Sequence, residues 1–350
     1  MRILNPAKAL IFITAIVLFS VVAPGTVSLA GERSVRSVPS AKIWDRAQYN
    51  SFTDILYFNG RFYCTFREGE RHVYGKDGEI RIIVSDDGNE WKSIALLKKE
   101  GYDLRDPHLS TTPGGKIMVS FGGSVYYGKY NAQRMPFVSF SNESGDEFTG
   151  PINVRLDKQL KSKWNWLWRV TWNGDTGYGV VYQTNVPEGM ATYLVKTVDG
   201  VNYETVTKFD LTGNPNEATA RVMADGEMLV LMRRESEGAS GYLGRSKYPY
   251  TEWEWKDTGF RVGGPNFIEL PDGRLLIGTR KYGDFNIRST VLLTSDRDGN
   301  VRESIKLPSG GDCSYPGMLI HDDTLWVSYY SSHESKASIY LSRIPVKNLK

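Results

Sequence analysis

Along most of this chain apolar and polar residues alternate with a period of two. Arg61-Phe62-Tyr63-Cys64-Thr65-Phe66 and Trp164-Asn165-Trp166-Leu167-Trp168 show it plainly. From Lys42 onward no run of a dozen residues carries a convincing 3.6-residue period. Successive side chains of a strand point to opposite faces, so short alternating runs broken by Gly, Asp and Asn predict strands joined by tight turns. The expected fold class is all-β.

The strands recur in a repeat. Six hairpin patterns follow one another: Asp54–Arg67 around Asn59-Gly60, Asp106–Phe121 around Gly114-Gly115, and Trp166–Tyr182 around Asn173-Gly174. The other three are Glu217–Arg233 around Asp225-Gly226, Asn266–Arg280 around Asp272-Gly273, and Ser314–Tyr329 around Asp322-Asp323. Asn-Gly and Asp-Gly between alternating segments favour the mirror-image turns that hairpins use. A second marker keeps the same phase. Serine or threonine turns recur at Ser85, Ser141, Thr197, Ser246, Thr294 and Ser342, at intervals of 56, 56, 49, 48 and 48 residues, the first four followed by an aromatic and the last two weaker versions. Repeats of this length match one four-stranded blade each. The chain is therefore expected to form a six-bladed β-propeller of four-stranded antiparallel blades over residues 42–350. The strand near Ile43-Trp44 would complete the last blade. The Ser-Asp-Asp-Gly type of turn is read as structural, with a short carboxylate accepting local N–H groups.

The first 30 residues break the pattern. Arg2 and Lys8 precede an apolar run from Ala9 to Ala23, and Ser28-Leu29-Ala30 places small residues before a cleavage point. This is the layout of an export signal, and the run is short for a membrane span, which takes about 20 residues. Residues 1–30 are assigned as a signal peptide and residues 31–41 as a leader. The mature protein is expected outside the cytoplasm, periplasmic or secreted, and without a membrane anchor. Removing residues 1–30 takes two positive charges from a formal net charge of +3, leaving +1. Such a balance gives no reason to expect a nucleic acid partner, and a monomer is expected. The two cysteines, Cys64 and Cys313, form no disulfide framework. Either one bridge between the first and last repeats or two buried thiols is compatible with the pattern.

Candidate chemistry gathers where first strands open and second strands close, because these ends meet at one mouth of a propeller. Openings carry Asp54, Asp106, Trp168, Glu217, Asn266 and the Asp312–Tyr315 segment; closings carry Arg67, Arg233 and Arg280. Each of those arginines lies seven residues after its turn glycine. Equal spacing is expected to put all three at one level, facing one way. Three guanidiniums there would call for an anion such as a carboxylate; the bland alternative is solvated rim salt bridges. Asp54 and Asp312 add carboxylates at the same level. His108 and His333 are candidates for a sugar hydroxyl or a proton, and Trp168 for a stacking platform, with Trp164 and Trp166 read as blade packing. No metal-ligand spacing, phosphate-binding glycine loop or Gly-x-Ser-x-Gly elbow appears, so no metal or cofactor is expected.

These features together resemble the sialidase superfamily over the chain from about residue 42 to its end. The resemblance is carried by the six units, the aspartate turns and the arginines. Glu217 with Arg233 is similar to the sialidase pairing of an activating glutamate with a carboxylate-binding arginine. Asp312-Cys313-Ser314-Tyr315-Pro316 resembles the place of the nucleophilic tyrosine. The resemblance implies an exo-glycosidase taking a terminal acidic sugar from a glycan, with Tyr315 as nucleophile, Glu217 as its base, and Asp106 or Asp77 as acid. A phenol suits such a sugar because the substrate's own carboxylate repels a carboxylate nucleophile. The opening Ser51-Phe52-Thr53-Asp54-Ile55-Leu56 lacks the arginine that sialidases carry in their first blade, leaving Arg67 on the next strand. A uronic-acid lyase and a carbohydrate-binding propeller without catalysis are the other readings.

Overall fold

A computed structural model describes residues 38–160, 162–187, 189–284 and 287–349. The signal peptide expected over residues 1–30, and the leader as far as residue 37, lie outside the described residues. The fold is all-β: six antiparallel sheets arranged as a six-bladed propeller. Among the described residues no helix is long and apolar enough to cross a membrane.

Blade one runs Tyr49–Phe58, Arg61–Gly69, Glu79–Ser85 and Lys92–Leu97, hydrogen-bonded in that order. Blades two to six open with Asp103–Thr111, Asn165–Asn173, Pro215–Val222, Asn266–Glu269 and Cys313–His321. Each of these first strands touches the first strands of both neighbouring blades, so the six form a ring about one axis. The ring closes as expected, by the strand Ser40–Trp44 pairing with Ser338–Pro345 on the outside of blade six. That strand starts two residues before the expected boundary at Lys42. In blade three a short strand, Arg155–Leu156, adds a parallel edge to Asn202–Lys208.

All six sequence hairpins are first-to-second-strand hairpins. Asn59 and Gly60, both at positive φ (48° and 77°), make the two-residue mirror turn expected of Asn-Gly. The aspartate turns are local structure. Asp199 accepts N–H groups of Val201 and Asn202 at 2.8 and 2.7 Å, and Thr197 Oγ1 accepts that of Gly200 at 2.9 Å. They join third to fourth strands, so they sit at the end of the blades opposite the mouth. Cys64 and Cys313 are buried free thiols.

The core lies between blades. Met228, Val230 and Met232 pack toward blade three, while Leu229 and Leu231 pack toward blade five. A strand buried on both faces reads as a continuous apolar run, which explains Met-Leu-Val-Leu-Met. Fully burying side chains of this size contributes about 1.5–3 kcal/mol each.

Among the described glycines, the closest approach to neighbouring backbone lies at the seam between blades six and one. A Cβ on Gly317 would stand 2.5 Å from the backbone N of Ile55 and 2.6 Å from the Cα of Asp54. Backbone cannot give way as a flexible side chain can. Gly317→Ala is therefore expected to destabilise the protein by about 3 kcal/mol, measured as a lowered thermal midpoint. Gly150→Ala, whose Cβ would meet nothing within 4 Å, should leave the midpoint close to the parent's.

Candidate active site

The mouth is shaped by one recurring irregularity. In five first strands the ladder slips, so that two residues face one on the second strand. These are Phe52 and Thr53 opposite Phe66, Asp106 and Pro107 opposite Phe121, and Trp168 and Arg169 opposite Val180. Asn216 and Glu217 face Arg233, and Tyr315 and Pro316 face Tyr329. A bulge breaks the strict in-out alternation and re-aims side chains. Phe52, Asp106 and Tyr315 hold φ of 59°, 50° and 54° at these bulges, a left-handed backbone that costs a non-glycine residue roughly 1–3 kcal/mol.

Four bulges, those of Phe52, Asp106, Glu217 and Tyr315, converge on one cavity of about 240 Å³. In it the Tyr315 hydroxyl donates to Glu217 Oε1 at 2.6 Å. Arg233 Nη1 lies 2.8 Å from the same oxygen and 3.4 Å from the Tyr315 oxygen. The N–H of Gly264 donates to Glu217 Oε2 at 3.0 Å. Gly264 sits at φ 59°, and a Cβ there would meet the Tyr315 ring at 2.7 Å, so only glycine lets the ring lie in place. Burial alone would raise the Glu217 carboxyl, but the Arg233 charge and the hydrogen bonds from Tyr315, Arg233 and Gly264 hold it below the ordinary glutamate value. Burial and the Glu217 charge push the Tyr315 phenol well up. At rest the pair is a neutral phenol hydrogen-bonded to an ionised carboxylate. Any attack by the phenol oxygen can then pass its proton to Glu217.

Asp106 also lines the cavity, with no hydrogen-bond partner among the described residues. Burial raises it to about 7; the nearby Arg105 charge opposes this and the Glu217 charge adds to it. Four guanidiniums line the same space: Arg105, Arg134, Arg233 and Arg280. Arg233 is committed to Glu217 and Glu235. Arg280 is held by the Cys313 carbonyl at 2.8 Å, the Tyr330 hydroxyl at 3.0 Å and Asp312 at 3.2 Å. Arg105 stacks on Phe52 and Arg134 on Trp166, at 5.2 and 5.8 Å from the ring centres.

A second titratable group faces the cavity from the blade-one loop. His72 Nδ1 lies 2.7 Å from Asp312 Oδ2, and Asp312 also receives Tyr49, Tyr330 and Arg280. Burial works against the Asp312 carboxylate, but His72, Tyr49 and Arg280 together hold it well below the ordinary range. An ionised acceptor fixes the proton on Nδ1, which leaves Nε2 as the ring nitrogen open to a ligand.

Comparison of the sequence with protein-family models and with curated proteins found no match. Solved structures do match. A protein of unknown function from Dyadobacter fermentans aligns with a TM-score of 0.75 at 18% identity, covering 88% of this chain and 98% of that one. Trypanosoma rangeli sialidase in complex with the inhibitor DANA aligns with a TM-score of 0.64 at 11% identity, over 89% of this chain and 61% of that one. An α-L-arabinofuranosidase from Fusarium graminearum, in complex with an iminosugar inhibitor, gives 0.65 at 15% identity, over 90% and 99%. The fold is the sialidase-type six-bladed propeller. At these identities the likeness is one of fold, and the chain spans about three fifths of the sialidase's length.

Within this propeller the residues singled out from sequence separate into two groups. Glu217, Tyr315, Asp106, Arg233 and Arg280 meet in the cavity, with Asp312 braced behind His72 and Arg280. Arg67 does not, contrary to the expected common level. Blade one's hairpin closes with Phe58 opposite Arg61, one residue after Gly60; blade four's closes with Val222 opposite Met228, two after Gly226. Equal spacing from the glycine therefore leaves Arg67 one residue past the bulge level, and a one-residue slip reverses the face. Its guanidinium is buried on Asp103 at 3.0 and 2.6 Å.

The platform expectation for Trp168 also fails. Trp168 is 1% exposed, while Trp166 lines the cavity. Asp54 and His108 are buried away from the cavity lining, Asp54 accepting the Leu109 N–H at 2.8 Å and the Arg169 guanidinium. His108 packs against Trp168 at 4.7 Å between ring centres. His333 lies 2.8 Å from Ser331 Oγ and against Tyr340, outside the lining. Asp77 is exposed on the blade-one loop, also outside it. Sequence reasoning missed Arg105, Arg134 and His72. Only Arg105 carried a signal, as the neighbour of Asp106 in the same opening.

The raised Asp106 has a consequence for stability. Its folded value, about 7, exceeds the ordinary value near 4. Its contribution is complete below about pH 4 and is lost as pH rises toward and through 7. Asp106→Asn removes that loss. Its thermal midpoint is expected to gain on the parent's between pH 5 and pH 8.5, by an amount worth on the order of 2–3 kcal/mol. An offset that does not change with pH would show that Asp106 ionises normally.

Proposed function

We propose that the protein is an exported exo-glycosidase that hydrolyses a terminal acidic sugar from a glycan. The observation that carries this reading is the 2.6 Å hydrogen bond between Tyr315 and Glu217 in a cavity lined by four arginines. The size of the space supports it too. About 240 Å³ falls below the ~300–1,000 Å³ of drug-sized pockets and suits a single terminal ring better than a chain threaded through. The layout of residues 1–30 supports export.

In the proposed reaction the Tyr315 oxygen bonds to the anomeric carbon as the glycosidic bond breaks. Glu217 takes the phenol proton, and protonated Asp106 gives its proton to the departing oxygen. Water then attacks the same carbon, ionised Asp106 takes a proton from that water, and Glu217 returns its proton to Tyr315. The products are the free sugar and the shortened glycan, with enzyme protons restored. The arginines offset the substrate's carboxylate and lower the energy of the phenolate-like transition state. Asp106 suits the acid role because burial keeps a proton on it near neutrality.

The test is release of sugar from synthetic glycosides carrying a terminal sialic acid, a uronic acid or neutral arabinofuranose. Release from an acidic member is expected. Tyr315→Phe and Glu217→Gln should each lower kcat by about 10³-fold or more, with thermal midpoints near the parent's. No release from any acidic glycoside, or near-full activity in both variants, would remove the proposal. An unsaturated, ultraviolet-absorbing product would point to a lyase instead. The pH profile gives a second check. Activity is expected to fall as pH rises through about 7, where Asp106 loses the proton it donates, and to survive below the ordinary glutamate range because Glu217 stays ionised there.

A further inference from the structure

Four of the six seams between adjacent blades carry polar contacts near the axis. Leu109 N–H donates to Asp54 at 2.8 Å across blades two and one. Thr53 Oγ1 donates to the Tyr315 carbonyl at 3.1 Å across one and six. Asn266 Nδ2 donates to the Pro316 carbonyl at 3.0 Å across five and six. Thr219 Oγ1 donates to the Pro265 carbonyl at 2.8 Å across four and five, where Arg221 also reaches the Phe267 carbonyl. Between the first strands of blades two and three, and of blades three and four, no such bond occurs among the described residues. The axis there carries two cations, Arg169 and Arg221.

Their surroundings leave one positive charge over. Arg169 pairs with Asp54, the carboxylate of this cluster. Arg221 makes only neutral contacts, to the Phe267 carbonyl and to Asn266 Oδ1 at 3.2 Å. Burial and the Arg169 charge together lower Arg221 to about 10, with Asp54 opposing. His108 contributes no charge, since burial and Arg169 lower its basicity well below the usual value. It does contribute a donor: both its ring nitrogens, and Arg169 Nε, are buried without a protein partner. Buried donors and a surplus guanidinium are costly unless something accepts from them.

We propose that the propeller axis holds a small monovalent anion of the halide class, bound by Arg169, Arg221 and His108 and tying blades two, three and four together. One excess charge selects a monovalent ion, and three donors from three blades give it a built site. The ion would supply the polar link that the two–three and three–four seams lack. This site is separate from the catalytic cavity, and it stands whether or not the proposed hydrolysis does.

The experiment is thermal unfolding of the purified protein at constant ionic strength, with gluconate replaced stepwise by chloride or bromide. A saturable rise of roughly 2–4 °C is expected. Arg221→Gln and His108→Phe should each abolish or strongly weaken the halide increment, whatever they do to the midpoint itself. Crystals soaked in bromide should show an anomalous peak between Arg169 and Arg221. A midpoint indifferent to halide, an increment unchanged in Arg221→Gln, or an ordered water without anomalous signal at that position would each overturn the proposal.

Discussion

Six strands converging on one axis set the terms for everything else in this molecule. Each first strand has a neighbour on both faces, so its side chains are largely buried on both, and its backbone must pass close to the next. At Gly317 that approach leaves no space for a Cβ. Several of the polar residues in this region are met by a partner from another blade. Thr53, Thr219 and Asn266 each bond to a carbonyl of the next blade, satisfying a buried group and fixing the angle between blades at once.

The mouth is where the alternation is released. A two-for-one bulge lets a residue that would have packed against the next blade turn toward the opening instead. Blades two, four and six use it to present Asp106, Glu217 and Tyr315, three groups far apart in sequence. The two carboxylates are then differentiated by what the backbone places around them. Glu217 receives a guanidinium, a phenol and an N–H, and stays ionised. Asp106 has no such donors, feels the Glu217 charge, and keeps its proton to about pH 7. A pair of carboxyls split in this way is what acid–base chemistry at neutral pH requires.

The same bulges mark the boundary of what could be read from sequence. The hairpins and aspartate turns depend on local chemistry, so all six repeats and the closing strand near Trp44 were legible. Glu217, Arg233 and Tyr315 were legible too, because each is defined by its place at a strand end. Arg67 was misplaced because hairpin loop length, and not distance from the glycine, sets the register. Trp168 was misplaced because the bulge begins at that residue. Trp164 and Trp166 keep the regular alternation; Trp168 drops out of it into the interior. Arg134 and His72 come from a third strand and a loop, and nothing local to them says which cavity they will reach.

Charge is distributed in the site as unevenly as the carboxyls are. A formal net charge of +3 over the whole chain conceals four guanidiniums around one small cavity. Two of them are not equivalent to the others. Arg233 is anchored by Glu217 in the cavity and by Glu235, and Arg280 by Asp312, so their charge is largely offset before a ligand arrives. Arg105 and Arg134, both from blade two, lack a comparably close carboxylate among the described residues; the nearest to Arg105 is Asp103 at 4.0 Å. An anionic ligand would gain most on that side. On the proposed reading this couples binding to catalysis. Arg105 is the cation that chiefly opposes protonation of Asp106. A substrate carboxylate beside Arg105 would offset that charge and add its own, and both effects hold the proton on Asp106 more firmly. The acid would then be most surely protonated when a substrate is present to receive the proton, and a neutral sugar of the same shape would not supply that effect.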